Sequence, residues 1–305
     1  MSALPSMETP EGFAVAPPLG DLLLASKPRH GFIRLVQRQP TMVLGAFVLL
    51  LLLLIAVLAP YLGTVDPLAL NPIARAQPPS AEHWFGTDLI GRDLWSRVLY
   101  GARISLLVGF SVAILASAGG LVLGLVSGFI RALDGIIMRM TDGLMSIPPI
   151  LLAITLMSLT RASVGNVILA ISIAEVARVS RLVRGVVLTL REQAYVDAAT
   201  AAGTRRPMIM LRHITPNTLA PLMVQATYIC ASAMIVEAIL SFIGAGTPPT
   251  IPSWGNIMAE GRALWQIKPF IVFIPAAFLS VTILAVNLVG DGLRDMLDPR
   301  MAKTI

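Results

Sequence analysis

Residues Ile104 to Ile130 read ISLLVGFSVAILASAGGLVLGLVSGFI, 27 consecutive positions without a charge. About 20 mostly apolar residues are enough for a helix to cross the hydrocarbon layer, so this stretch by itself predicts a transmembrane helix. Within it Ala116, Gly120, Gly124 and Gly128 stand four apart. Small residues at that spacing let two backbones approach closely in lipid, where packing rather than hydrophobicity drives association. The rest of the chain agrees in character. Of 305 residues 56% are hydrophobic and 13% charged, with a mean hydropathy of +0.79, against about 25% charged in a soluble domain. Too little polar surface remains to cover a water-facing globule, which excludes an ordinary cytosolic enzyme, a disordered protein and a fibrous repeat.

Five further spans follow from the same criterion. Met42 to Ala59 is uncharged and ends at Pro60, after a polar lead too long for the n-region of a signal peptide. Gly143 to Thr160 is the third span and begins near Ile136, with Arg139 and Asp142 in its first turns. Ala162 to Ala174 reaches bilayer length only by including Glu175 and running on to Val179, with Arg178 snorkelling to the interface. Ile214 to Val236 and Pro269 to Gly290 complete a set of six. Pro148, Pro149 and Pro275 remove backbone donors and predict kinks, which shape a cavity or serve as hinges.

The formal net charge of +6 is topology information, not a sign of nucleic acid. With the N-terminus inside, sixteen of the 23 basic residues fall on the inner side and seven on the outer, as the positive-inside rule requires. Trp84, Trp95, Trp254 and Trp265 all fall in the two long outer segments, where amphipathic rings favour the headgroup layer.

Ionisable groups inside spans are functional candidates because burying them in lipid is costly. Glu237 lies within an apolar run; it either makes a helix-packing hydrogen bond or faces a cavity. Arg139 and Asp142 are three apart and read as an interfacial ion pair. Gln225 and Asn287 read as amides bridging helices. Arg178, Arg181 and Arg184 share one broad helical face and read as contacts to anionic headgroups. The outer turns Gly86-Thr87-Asp88 and Gly91-Arg92-Asp93 read as solvated turns, with too few acids for the 6–8 oxygens calcium takes.

The most informative inner segment, Glu192 to Asn217, reads EQAYVDAATAAGTRRPMIMLRHITPN. Helix-forming alanines follow an early acid, and Gly203 stands where a helix stop is expected. A second short helix starts after Thr204 with Pro207 in its first turn, and Pro216 closes it. Asp197-Ala198-Ala199, Gly203 and Pro216 match the spacing of the EAA signature of ABC importer permeases. Phe85-Gly86-Thr87-Asp88, Gly91-Arg92-Asp93, Tyr195-Val196 and Arg212-His213-Ile214 with Pro216-Asn217 extend the match. So do Glu237 with Leu240-Ser241-Phe242, Ser253-Trp254-Gly255, Asn287, the run Gly290 to Asp295, and Asp298-Pro299-Arg300. From about residue 34 to 300 the chain resembles the second permease subunit of the dipeptide/oligopeptide/nickel ABC importers. It departs at Asp197, where the family has Glu, and at Thr215, where Leu commonly precedes the proline.

The resemblance implies an all-α fold, a six-transmembrane-helix type I ABC importer permease bundle with a cytoplasmic coupling helix. It implies a cytoplasmic segment 1–41, a first transmembrane helix 42–62, an extracytoplasmic loop 63–103, a five-helix permease core 104–292 containing the coupling loop 192–217, and a cytoplasmic tail 293–305. Tyr195, Asp197, Ala198, Ala199, Gly203, His213, Pro216 and Asn217 would couple to the ATPase. Asp142, Gln225, Glu237 and Asn287 are the candidates for the translocation path. Expected partners are a sister permease, two ATP-binding subunits, an extracytoplasmic substrate-binding protein and the bilayer of a bacterial inner membrane, with both termini cytoplasmic. The expected cargo is a di- or oligopeptide; nickel chelates, opines and other small solutes are the alternatives.

No cofactor or metal is expected on this chain. Cys230 is its only cysteine, and His30, His83 and His213 are scattered. It contains no G-x-x-x-x-G-K-[ST] loop, so ATP and Mg²⁺ would sit on the partner subunits. H-E-x-x-H and G-x-S-x-G are also absent, which argues against an intramembrane enzyme. A secondary transporter would need no such inner-loop signature.

Overall fold

A computed structural model describes residues 39–297; the basic N-terminal lead and the Asp298-Pro299-Arg300 match lie outside the described residues. Ten helices follow in order among the described residues: α1 (Pro40–Leu58), α2 (Leu94–Phe129), α3 (Arg131–Met145), α4 (Pro149–Ser158), α5 (Val164–Leu190), α6 (Ala194–Ala201), α7 (Arg206–Ile209), α8 (Thr215–Phe242), α9 (Trp254–Gly261) and α10 (Phe270–Leu297). A π-helical turn, Met210–Ile214, joins α7 to α8. Four continuous helical stretches are long and apolar enough to cross a membrane: Pro40–Tyr61, Leu94–Phe129, Arg206–Phe242 and Phe270–Leu297.

The third predicted span is not one helix. It divides into α3 and α4, bent by 87° across the break. The physical reason lies in Pro148 and Pro149: a residue before proline is pushed out of the α region, and Pro148 adopts ψ 133°. Pro149 then opens α4 from its first position, where a missing N–H costs nothing. Pro275, by contrast, sits buried within the continuous α10.

The stretch expected as the fourth span lies in α5, 27 residues long, or about 40 Å at 1.5 Å per residue; long enough but too charged, it is not one of the helices apolar enough to cross a membrane. α2 covers one of its faces. Gly120, Gly124 and Gly128 of α2 lie against Val179, Val183 and Val187 of α5. A Cβ added at Gly124 would stand 2.5 Å from Val183 Cβ, and one at Gly128 2.8 Å from Val187 Cβ. The small-residue ladder and a valine ladder of the same four-residue spacing thus interlock. On its other side α2 meets α8, where Gly109 faces Met234. Near the middle of α8, Thr227 lies against Gly290 of α10, and α10 in turn touches α1 through Leu288 and Gly45.

The arginine face of α5 makes protein contacts, contrary to the expectation of headgroup contacts. Arg178 pairs with Glu175 at 2.9 Å, Arg181 with Asp142, and Arg184 with Asp134 through bonds of 2.5 and 2.7 Å. Asp142 therefore pairs across to α5 and not with Arg139. Asp134 and Asp142, each three residues from an end of α3, face guanidiniums that an apolar environment would leave unsatisfied.

α2 begins at Leu94, well before Ile104, because Asp93 caps it by accepting from the Ser96 N–H at 2.8 Å. Arg103, one face further along, donates to the Ala56 and Val57 carbonyls at 2.5 and 3.0 Å and so satisfies the end of α1.

Candidate functional site

The segment α6–α7 is the candidate coupling loop. Val196 of α6 and Ile209 of α7 are its buried side chains, while Tyr195, Asp197 and Ala198 beside Val196 are exposed. The helix stops as its sequence directs: Gly203 adopts φ +78°, its N–H reaches the Thr200 carbonyl at 3.0 Å, and the Thr204 N–H reaches the Ala199 carbonyl at 3.1 Å. These two bonds are a Schellman stop, which needs a residue at ease in the left-handed region.

Pro216 does not close a helix. α7, the π-helical turn and α8 form one continuous stretch. Pro216 has no N–H, and its ring crowds the carbonyl four residues back. The extra residue of the π turn absorbs this: the Thr215 N–H and Oγ1 both reach the Met210 carbonyl, the latter at 2.9 Å. The loop therefore hangs between the end of α5 and a rod that continues into α8. At the base of that rod Asn217 Nδ2 donates to the His213 carbonyl at 2.7 Å and to Tyr195 Oη at 3.5 Å. The Tyr195 and His213 rings lie 6.4 Å apart. The fold thus gathers Tyr195, His213 and Asn217 into one group tying α6 to the foot of α8, with Asp197, Ala198 and Gly203 presented outward.

The four polar residues within the spans do not converge. Asp142 is half-exposed on its ion pair with Arg181. Gln225 is half-buried and Asn287 exposed, and among the described residues neither amide side chain has a hydrogen-bond partner. Glu237 is fully buried. Its Oε1 accepts from Ser241 Oγ at 2.8 Å and from Thr247 Oγ1 at 3.4 Å. Thr247 Oγ1 accepts from Asn256 Nδ2 at 2.9 Å. This network pins the end of α8 to the loop that follows it and to α9, so the packing alternative for Glu237 has a concrete geometry.

The turns at residues 86–93 and helix α9 hold an arrangement that the sequence reading missed. Asp88 accepts from the Arg92 and Arg97 guanidiniums at 2.6 Å each, and Glu260 of α9 also pairs with both arginines. Arg97 and Asp88 are fully buried. Burial works against the ionised Asp88 carboxyl, but the Arg92 N–H, the Arg97 and Arg92 guanidiniums and the Ile90 N–H outweigh it. They hold that carboxyl below its ordinary range. The Gly-Thr-Asp and Gly-Arg-Asp turns are thus the walls of an ion cluster, not solvated turns; Thr87 and Asp93 even form a backbone bridge. Trp254 also departs from expectation. It is fully buried, with Nε1 donating to the Val98 carbonyl at 3.0 Å, so it anchors α9 on α2 and does not sit at a headgroup layer. Glu260 gives no local signal, because its partners lie more than 160 positions away.

An all-α, multi-pass membrane fold with an exposed helical loop between two long helices is the architecture of a transport subunit. The chain belongs to the family described as binding-protein-dependent transport system inner membrane components, whose model matches residues 120–303. It is 53% identical over 271 residues to the probable peptide ABC transporter permease protein y4tQ of Sinorhizobium fredii, covering 89% of this chain and 93% of that one. It is 39% identical over 287 residues to the dipeptide transport system permease protein DppC of Alkalihalophilus pseudofirmus, covering 94% of each. Among solved structures it resembles an inward-facing conformation of the MetNI methionine ABC transporter, with a TM-score of 0.56 at 18% identity, over 66% of this chain and 96% of that one. That likeness shows a shared type I permease fold.

Proposed function

We propose that this chain is the permease subunit of an ATP-driven importer that carries di- or oligopeptides into the cytoplasm. It pairs with a sister permease, two ATP-binding subunits and an extracytoplasmic substrate-binding protein, in a bacterial inner membrane with both termini cytoplasmic. ATP and Mg²⁺ belong to the ATP-binding subunits, and this chain carries no cofactor of its own. The peptide cargo is supported by the named relatives. The observation that carries the mechanism is α6: a short helix with an exposed face, stopped by Gly203 and tied through Tyr195 and Asn217 to the foot of α8.

In this reading α6 seats on an ATP-binding subunit through Asp197, Ala198, Ala199 and the turn at Gly203. Closure of the two ATP-binding subunits moves α6 as a unit. Because α7 runs unbroken into α8, that displacement tilts α8, while the link through Arg191 tilts α5. The cavity at the centre of the permease pair then opens outward, and hydrolysis reverses it. Nucleotide drives the change only through contacts that differ between the two states. Pro216 and His213 shape the π-turned junction, whose stiffness transmits the motion. Asp142, Gln225, Glu237 and Asn287 are the candidates for contact with the path or for packing along it.

Gly203→Val tests this. A β-branched residue is strained at φ +78°, so the turn must rebuild. The expected result is an assembled complex in which ATP hydrolysis continues while peptide uptake is lost; full uptake at normal expression would overturn the assignment of α6.

A further inference from the structure

Once the arginines of α5 are matched with acids, three other guanidiniums remain around a single cavity of about 690 Å³. Arg131 opens α3, Arg191 follows α5, and Arg206 opens α7. Arg131 and Arg206 are exposed and Arg191 is half-buried. Among the described residues none of the three lies within ion-pair distance of a carboxylate. Arg191 spends one donor on the Gly128 carbonyl at 3.3 Å. Asp134, in the first turn of α3, is held on two bonds by Arg184. Three positive charges thus converge on one concavity that no acid of the same wall neutralises, a local imbalance that calls for an anion.

The same cavity has a second character. Phe129, Ile130 and Met210 line it beside the arginines, and Phe129 and Ile130 end the 27-residue uncharged stretch. Where such a stretch ends, the hydrocarbon layer gives way to headgroups. Ile130 provides no side-chain cap for α3, so the first N–H groups of that helix add to the positive field at the same wall. An anion with an apolar portion satisfies both sides of this site; a free inorganic ion satisfies one.

We propose that the cavity bounded by Arg131, Arg191 and Arg206 is a binding site for the phosphodiester headgroup of an anionic phospholipid from the cytoplasmic leaflet. The guanidiniums take the phosphate oxygens, and Phe129, Ile130 and Met210 take the glycerol end of the acyl chains. The site lies at the roots of α3, α5 and α7, so an occupied site braces the two attachments of the coupling loop. The assignment to the cytoplasmic leaflet rests on the orientation proposed above.

The test uses the complete transporter, purified with its partner subunits and placed in nanodiscs of phosphatidylcholine with or without phosphatidylglycerol. Retained phosphatidylglycerol is read by native mass spectrometry. The wild type retains it, and R131Q/R191Q/R206Q loses retention by roughly a hundredfold, about fivefold for each guanidinium removed. The lysine triple R131K/R191K/R206K keeps the charge and restores most of the retention. Should the glutamine triple not assemble, the three single variants carry the measurement, each with the fivefold step. Equal retention by wild type and glutamine variants overturns the proposal. So does displacement of the lipid by millimolar inorganic phosphate, which would mark a free-phosphate site. So does loss of the ATP-binding subunits from the glutamine variant with lipid retention unchanged, which would make the cavity a protein-docking surface. Orientation is read separately, with R205C in intact cells: labelling by an impermeant maleimide from outside overturns the topology whatever the lipid result.

Discussion

Arg97, fully buried in the first turn of α2, donates to Asp88 at 2.6 Å and also pairs with Glu260 of α9. One guanidinium thus joins two stretches of chain that are more than 160 positions apart. The pairing explains why residues 86–93 fold back on themselves before α2 starts, and why α9 lies against α2.

Removing one member of this cluster strands the others in a buried setting. Arg97→Ala should cost about 3–5 kcal/mol, the usual penalty for breaking a buried pair from one side. Thermal unfolding of the purified complex measures it, and a change under about 1 kcal/mol would show the cluster to be solvated.

The same cluster sets a pH response. The folded-state pKa of Asp88 is depressed, so its contribution is fully present above the unfolded value near 3.9 and is lost as pH falls through the lower folded value. Asp88→Asn should therefore unfold at lower temperature than wild type at pH 7, with the gap closing as pH falls below about 4. A gap that widens in acid would contradict the depressed carboxyl.

The interlock of α2 and α5 leaves no room for a side chain. Gly124→Val should destabilise the chain by about 1–3 kcal/mol or more through overpacking, because its Cβ would meet Val183 at 2.5 Å. Val183→Ala combined with Gly124→Ala should recover part of the loss. Yield of assembled complex and melting temperature report both; equal stability of Gly124→Val would mean that the helices stand further apart.

The Asp134–Arg184 pair links α3 to α5 and is about a quarter exposed on each side. A double-mutant cycle with Asp134→Asn and Arg184→Gln should give a coupling of about 0.5–1 kcal/mol, at the upper end for such partly solvated pairs. A coupling of zero would leave α3 held by its apolar contacts alone.

Arg103 closes the end of α1 by donating to two of its carbonyls. Arg103→Ala should raise hydrogen exchange across residues 52–58 and cost about 1.5–3 kcal/mol, as for a charge-assisted bond to backbone. Unchanged exchange in that stretch would assign α1 to the bilayer alone.

Much of the fold was legible because apolar run length and helix-stop chemistry are local properties. The uncharged run from Ile104, the four-residue ladder of small residues and the stop at Gly203 each predict their structure from neighbours alone. The break at Pro148 and Pro149 was readable as a kink but not as an 87° bend, since the angle depends on what α3 and α4 pack against. The continuous helix through Pro216 was not readable either. A proline announces a missing donor, while a π turn that accommodates it depends on the foot of α8 being held in place.

In the candidate site the division is the same. The alternation of alanines, acid and glycine from Glu192 to Gly203 marked the loop without any structure. The gathering of Tyr195, His213 and Asn217 needed the chain to return on itself. Glu237 stood out as a charge in an apolar run with Ser241 one turn on in the same helix, yet its second hydroxyl partner, Thr247, comes from a loop whose path no periodicity encodes.

The sequence by itself determined that this chain is a multi-pass helical membrane protein with a basic loop of permease type. Those properties are sums over neighbouring residues: hydrophobic length, charge count, backbone preference. Only the tertiary structure decided which charges meet. Arg178, Arg181 and Arg184 look alike along the chain, as do Arg131, Arg191 and Arg206. The first three find carboxylates on their own helix or on α3, while the second three enclose a cavity without one. Coulomb energy depends on distance through space, and in a helical bundle that distance is set by packing, not by position in the sequence.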